Sequence, residues 1–202
     1  MDGRLIINNE RIETADKKDS INPATLESLG QFNLASSTDC QNAVQAATEA
    51  FPAWSRLPLK DKKAIFMKAK TILLKRSEEA AALISKENGS PLPESLKSEE
   101  QGAIEAQDYY GKILKKILRP RKADHHVTYF AHKKSEYVFH PLGPTLIISP
   151  WNYPFIIPIV EVLSTLSAGN SAVLRPSSST PFTALMLGEF FLEAGLPPGV
   201  LN

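Results

Sequence analysis

An α/β fold with a parallel sheet is predicted by three observations in residues 141–202 of this 202-residue chain. Two short apolar runs, Thr145-Leu146-Ile147-Ile148 and Ser171-Ala172-Val173-Leu174-Arg175, are each cut off by proline, at Pro150 and Pro176. Proline cannot donate to a sheet ladder, so a central strand ends at each. Between them Phe155 to Ala168 is an apolar stretch of helical length, closed by Gly169-Asn170, two residue types that tolerate positive φ. Strand, helix and strand within about 30 residues is the size of a βαβ unit. A second helix follows, with Thr180 as N-cap, Pro181 at the first helical position and Gly195 just past the end. Leu196-Pro197-Pro198-Gly199 then turns the chain toward a further strand.

From the beginning, Leu5-Ile6-Ile7 followed by Asn8-Asn9 reads as a strand and a tight turn. Asn22-Pro23-Ala24-Thr25 is a turn before a strand ending near Ala35. Ser36-Ser37-Thr38-Asp39 offers several N-caps to a helix whose buried face holds Val44, Ala47 and Phe51. A long amphipathic helix is predicted from Leu59 to Lys86, with Ile65, Ala69, Ile72, Leu73, Ala80 and Leu83 at helical spacing. Lys60, Lys62, Lys63, Lys68, Lys70, Lys75 and Arg76 make one flank basic, and the interspersed Asp61, Glu78 and Glu79 mark it as a solvated face. Asn88-Gly89-Ser90-Pro91 stops that helix. A third helix, from about Pro93 to Leu118, carries Ile104, Tyr109, Ile113 and Ile117, and a wet face is expected for Glu99 and Glu100. In residues 119–140 two β runs, Val127-Thr128-Tyr129-Phe130 and Tyr137-Val138-Phe139, predict a hairpin, which is marginal alone and needs a partner.

Composition narrows the function. Hydrophobic residues make up 43% of the chain, enough for a real core. A net charge of +1 gives no bulk electrostatic case for nucleic acid or an acidic membrane. The longest apolar stretch is interrupted by Pro158 and Glu161, too short and polar for a bilayer. Met1-Asp2-Gly3-Arg4 lacks a secretory h-region, and one cysteine, Cys40, fits a reducing compartment, so a cytoplasmic location is expected. Cys40 sits in the first turn of a helix, where a thiol can be activated, but no histidine lies near it in sequence and a plain packing or surface role is expected. His125, His126, His132 and His140 show no paired metal spacing.

Right-handed crossovers make both strands point one way, so the loops carrying Asn152 and Arg175 leave one carboxyl edge of the sheet. Ligands of open α/β sheets sit at that edge. Asn152 is a neutral amide donor suited to an oxygen that becomes negative. Arg175 is a permanent cation suited to a phosphate or ribose edge. By spacing alone, Asn152 as a helix cap and Arg175 as a solvated strand end remain open.

Pro141-Leu142-Gly143-Pro144, Ile148-Ser149-Pro150-Trp151-Asn152-Tyr153-Pro154, Ala168 through Ser177 and Thr180-Pro181 together resemble the aldehyde dehydrogenase superfamily, in order and spacing. Leu196 through Asn202, and more weakly Asn22 through Thr25, extend the resemblance. It implies the N-terminal part of that fold. Residues 1–118 would be strands and helices of the cofactor-binding domain, 119–140 an oligomerisation arm, and 141–202 the first βαβα of a Rossmann-like sheet. It implies oxidation of an aldehyde to a carboxylic acid with NAD or NADP, through a cysteine thiohemiacetal. Asn152 matches the oxyanion asparagine. Ile148, Ser149, Pro150 and Trp151 match the cofactor cleft. Arg175 matches a position usually lysine and Ser178 one often glutamate, both reaching the adenosine ribose. Glutamate at 178 would repel the extra phosphate of NADP, serine does not, and Arg175 could pair with it, so NADP is expected to be accepted at least as well as NAD. A homo-oligomer, dimer or tetramer, built through the 119–140 arm is also implied.

The family's nucleophile and general base match nothing in this sequence, so the chain alone is expected to be inactive. It is also expected to be poorly soluble, with Ser171 to Leu174 lacking a covering neighbour. A non-catalytic nucleotide-binding or assembly fragment is the competing reading. A CoA-acylating relative is a third, which Trp151 disfavours because phenylalanine is common there.

Overall fold

Asn8 and Asn9, at φ 54° and 63°, make the first turn of this computed structural model, which describes residues 2–124, 129 and 132–202. They join β1 (Leu5–Ile7) to β2 (Glu10–Ile12), with Ile7 opposite Glu10. Two left-handed residues in a two-residue loop match the twist of the flanking strands. A second hairpin joins β3 (Lys17–Ile21) and β4 (Ser28–Asn33), and its turn holds Leu26 at φ 63° and 78% exposed.

Helix α1 (Ser37–Arg56) opens with a capping box: the Asp39 N–H donates to Ser36 Oγ at 3.2 Å and the Ser36 N–H to Asp39 Oδ2 at 2.8 Å. Its buried stripe is Ala43, Ala47 and Trp54, while Val44 is exposed, which corrects the expected Val44–Ala47–Phe51 face. Trp54 sets that rotation. The indole is the bulkiest side chain on the helix, and its Nε1–H donates to the buried carbonyl of Leu166 at 3.0 Å.

The helix expected over 59–86 is two helices, α2 (Leu59–Lys75) and α3 (Ser77–Asn88), separated by Arg76 at φ −114° and ψ 20°. The break lets the Arg76 guanidinium grip Glu79 through two 2.7 Å bonds, reach Glu193 at 2.8 Å and lie over the Phe190 ring. The basic flank is not wholly wet either. Lys62 is buried, its ammonium lies over the Trp54 ring and donates to the Ser55 carbonyl, and burial pushes its pKa down.

Gly89 closes α3 at φ 82°. The next helical path runs through α4 (Leu92–Glu94), a π-helical turn (Ser95–Gln101) and α5 (Gly102–Ile117). A π turn winds the following residues to a new face. Ser95, Glu99, Ala103 and Gln107 are buried along this path, and Tyr109 and Ile117 are exposed. The short strands β5 (Arg121–Ala123) and β6 (Ser135–Tyr137) pair antiparallel, Arg121 opposite Tyr137. Of the expected first hairpin run, Val127, Thr128 and Phe130 lie outside the described residues, as do His125 and His126.

Strands β7 (Thr145–Ile148) and β8 (Ala172–Arg175) are parallel, with Thr145 opposite Ala172 and Ile148 opposite Arg175. Helix α6 (Ile156–Ser167) crosses between them, and α7 (Pro181–Glu193) follows β8. Pro158 falls in the first turn of α6, where a missing N–H costs no helical bond. Gly169 takes φ 94°, while Asn170 instead uses its side chain: Oδ1 accepts from the Leu142 and Gly143 amides at 2.6 and 3.0 Å. Residues 200–202 run parallel to β8 on its other side, with the Ala172 N–H bonded to the Val200 carbonyl and the Leu174 N–H to that of Asn202. The expectation that β8 would lack a neighbour is thus wrong, because three residues suffice to occupy its second edge. The core lies between the first helical layer and this unit. Phe66 meets Trp54 edge-on at 6.3 Å and Phe191 at 6.4 Å, joining α1, α2 and α7. No described helix is long and apolar enough to cross a membrane.

Candidate functional site

The register of β7 and β8 brings the expected site residues to one rim. Ile148 and Arg175 are paired ends of parallel strands, so the loop after Ile148 and the loop after Arg175 leave the same edge. The Ser149 N–H donates to the Arg175 carbonyl at 3.2 Å, tying the two loops at their roots. Asn152 and Arg175 are both exposed, as are Pro150, Trp151 and Ser178. Ile148 is exposed as well. Ser149 is the exception: it is buried, and its hydroxyl donates to Glu161 Oε2 of α6 at 2.6 Å.

Asn152 does not cap α6, the alternative that spacing left open. Its carbonyl accepts from Asn88 Nδ2 at 3.2 Å, and no hydrogen bond among the described residues engages its side-chain amide. The α6 cap is supplied instead by Glu99, whose Oε2 accepts from the Phe155 and Ile156 amides at 3.1 and 2.8 Å. The expectation of a wet face for Glu99 is therefore wrong. Within the π turn this carboxylate is buried, and burial pushes its pKa up against the pull of those two amides.

Helix α7 begins the same way. Thr180 makes no side-chain cap bond; Glu87, from the last turn of α3, accepts from the Phe182 amide at 2.9 Å, the Thr183 amide at 2.7 Å and the Ser20 hydroxyl at 2.9 Å. Neither glutamate was read from the sequence as part of the site. The signal was present: Glu87 continues the inward stripe of Ala80, Leu83 and Ile84, and Glu99 that of Ser95 and Ala103. A carboxylate on a buried stripe needs donors, and two helix starts are what provides them.

Both helix starts are occupied by carboxylates, and no ion pair among the described residues engages Arg175. Arg175, Ser177 and Ser178 line an apolar cavity of about 520 Å³, together with Leu174, Leu185, Gly188 and Leu201 among others. Cys40, exposed, lies on the same cavity wall; the Asn152 loop does not line it. Among the described residues no group of three or more His, Cys, Asp or Glu could hold a metal.

The model of the aldehyde dehydrogenase family matches residues 11–202. The chain is 34% identical over 199 residues to 1-pyrroline-5-carboxylate dehydrogenase 2 of Bacillus subtilis strain 168, covering 98% of this chain and 38% of that protein. Among solved structures it superposes on indole-3-acetaldehyde dehydrogenase in its apo form with a TM-score of 0.91 at 31% identity, covering 99% of this chain and 47% of the other. An E. coli NADP dependent enzyme matches with a TM-score of 0.92 at 30% identity, over 99% of this chain and 41% of the other. The chain thus spans less than half the length of these relatives.

Proposed function

The chain belongs to the aldehyde dehydrogenase family, and from that premise we propose that it supplies the oxyanion donor and the adenosine contacts for oxidation of an aldehyde with NAD or NADP. The observation that carries this reading is the pairing of Ile148 with Arg175, which sets both loops on one rim. Asn152 holds an exposed amide at that rim. Its N–H donates to the aldehyde oxygen as the carbonyl turns tetrahedral and gains charge, an interaction worth about 3 kcal/mol of barrier. Arg175 and Ser178 hold the adenosine ribose. Ile148, Ser149, Pro150 and Trp151 form the wall between the two. The nicotinamide, when bound, accepts the hydride. The antiparallel pair β5–β6, with Tyr137, Val138 and Phe139 exposed, serves as the arm of residues 119–140 through which a homo-oligomer assembles.

Fusion of this chain ahead of the remaining residues of the Bacillus subtilis relative tests the assignment. The chimera oxidises aldehyde, and Asn152→Ala lowers its kcat/KM by about 100-fold; equal turnover in the two would remove Asn152 from the oxyanion hole. The same chimera tests the cofactor. Arg175 with Ser178 accepts NADP at least as well as NAD, and Ser178→Glu moves the kcat/KM ratio toward NAD. A strong NAD preference before that substitution would end the idea.

A further inference from the structure

We infer that Glu99 is a positioning residue for the Asn152 loop, acting from a helix that precedes it by more than fifty positions. The inference rests on the oxyanion reading of Asn152 and adds to it the groups that aim the amide. The loop is pinned at both ends and once in the middle. At its start Ser149 is buried, with its hydroxyl on Glu161 at 2.6 Å. At its finish the Phe155 and Ile156 amides share Glu99 Oε2. Between them the Asn152 carbonyl takes the Asn88 side chain. Pro150 and Pro154 fix φ at two further positions, so little freedom remains once both ends are held.

The carboxylate is the decisive pin because α6 has no cap of its own. Phe155 holds the N-cap position at φ −112° and offers no side-chain acceptor. Without Glu99 the first turn of α6 frays, and the fraying begins three residues from Asn152. Glu99 lies within the π-helical turn, on the buried stripe it shares with Ser95 and Ala103 at intervals of four. The parallel arrangement at Glu87 pins the start of α7 and makes no hydrogen bond to the Asn152 loop, although its neighbour Asn88 does.

The chain carries its own reporters, because its two tryptophans are Trp151, on the loop and 58% exposed, and Trp54, buried in the core. With 5-fluorotryptophan incorporated, each gives a separate ¹⁹F resonance. Glu99→Ala, which removes the acceptor, shifts or broadens the Trp151 resonance beyond its linewidth and leaves Trp54 in place. Ser36→Ala, the loss of a cap at the start of α1, leaves Trp151 where it was. An unmoved Trp151 in Glu99→Ala, or an equal movement in both variants, overturns the proposal. If the Trp54 resonance collapses in Glu99→Ala, Glu99→Asp decides the matter by the same criteria, since it keeps the charge and withdraws it by one methylene. The readout needs neither aldehyde nor nucleotide, so the oxyanion assignment can fail in the chimera while this positioning stands, and the reverse.

Discussion

Leu26 occupies a conformation that suits glycine. At φ 63° a branched side chain crowds the following carbonyl, and the side chain gains nothing in return because it is 78% exposed. Leu26→Gly is expected to stabilise the chain by about 1 kcal/mol, read from the urea midpoint; a lower midpoint contradicts this account. Glu87 makes a prediction of the opposite kind. Burial raises its pKa, with its donors at Thr183, Phe182 and Ser20 pulling it back. The folded state therefore holds the proton more tightly than the unfolded chain. Its contribution to stability is full below the ordinary glutamate range and declines as pH rises through the raised folded value. Glu87→Gln has no proton to lose, so its stability relative to the parent should improve between about pH 5 and about pH 7. Urea unfolding at both values checks the sign. The rim positions of Asn152 and Arg175 were legible because prolines mark where their strands end. For Glu87 and Glu99 the inward stripe was legible but the helix starts they cap were not, because those amides lie 95 and 56 positions away.

Among the elements, caps written in local sequence were readable and breaks caused by distant contacts were not. Ser36 and Asp39 stand three apart and form the capping box that their types advertise. Ser36→Ala should cost about 1 kcal/mol, seen as a lowered urea midpoint with an unchanged slope. The division at Arg76 is different. Nothing in residues 59–86 alone interrupts the apolar spacing; the helix bends away because Glu193 and the Phe190 ring, on α7, claim the guanidinium. Arg76→Lys keeps the charge but loses the planar fork that holds Glu79 and Glu193 at once. A loss of about 1 kcal/mol is expected, reduced at high salt because the carboxylates are exposed. The π turn escaped sequence reading for a similar reason, since its spacing differs from a regular helix by a single residue.

At the scale of the molecule, the parallel pair followed directly from two proline-terminated runs and a helix-length interval. The third strand position, at 200–202, was foreseen as a turn toward a strand, but its pairing with β8 was not. The purified chain is expected to show no aldehyde turnover, measured as reduced nicotinamide formed, because its single thiol, Cys40, lines the cavity beside Arg175 and not the Asn152 loop. Detectable turnover would place a nucleophile where none has been identified.

The two glutamate caps also bear on how such a chain can be inherited. Residues 141–202 look like a cassette that recombination could lift out whole. Moved alone, that cassette would arrive with the first turns of both its helices bare, since Glu87 and Glu99 stay behind with the donor. Only a crossover upstream of the third helix carries the sheet together with the acids that let its helices begin.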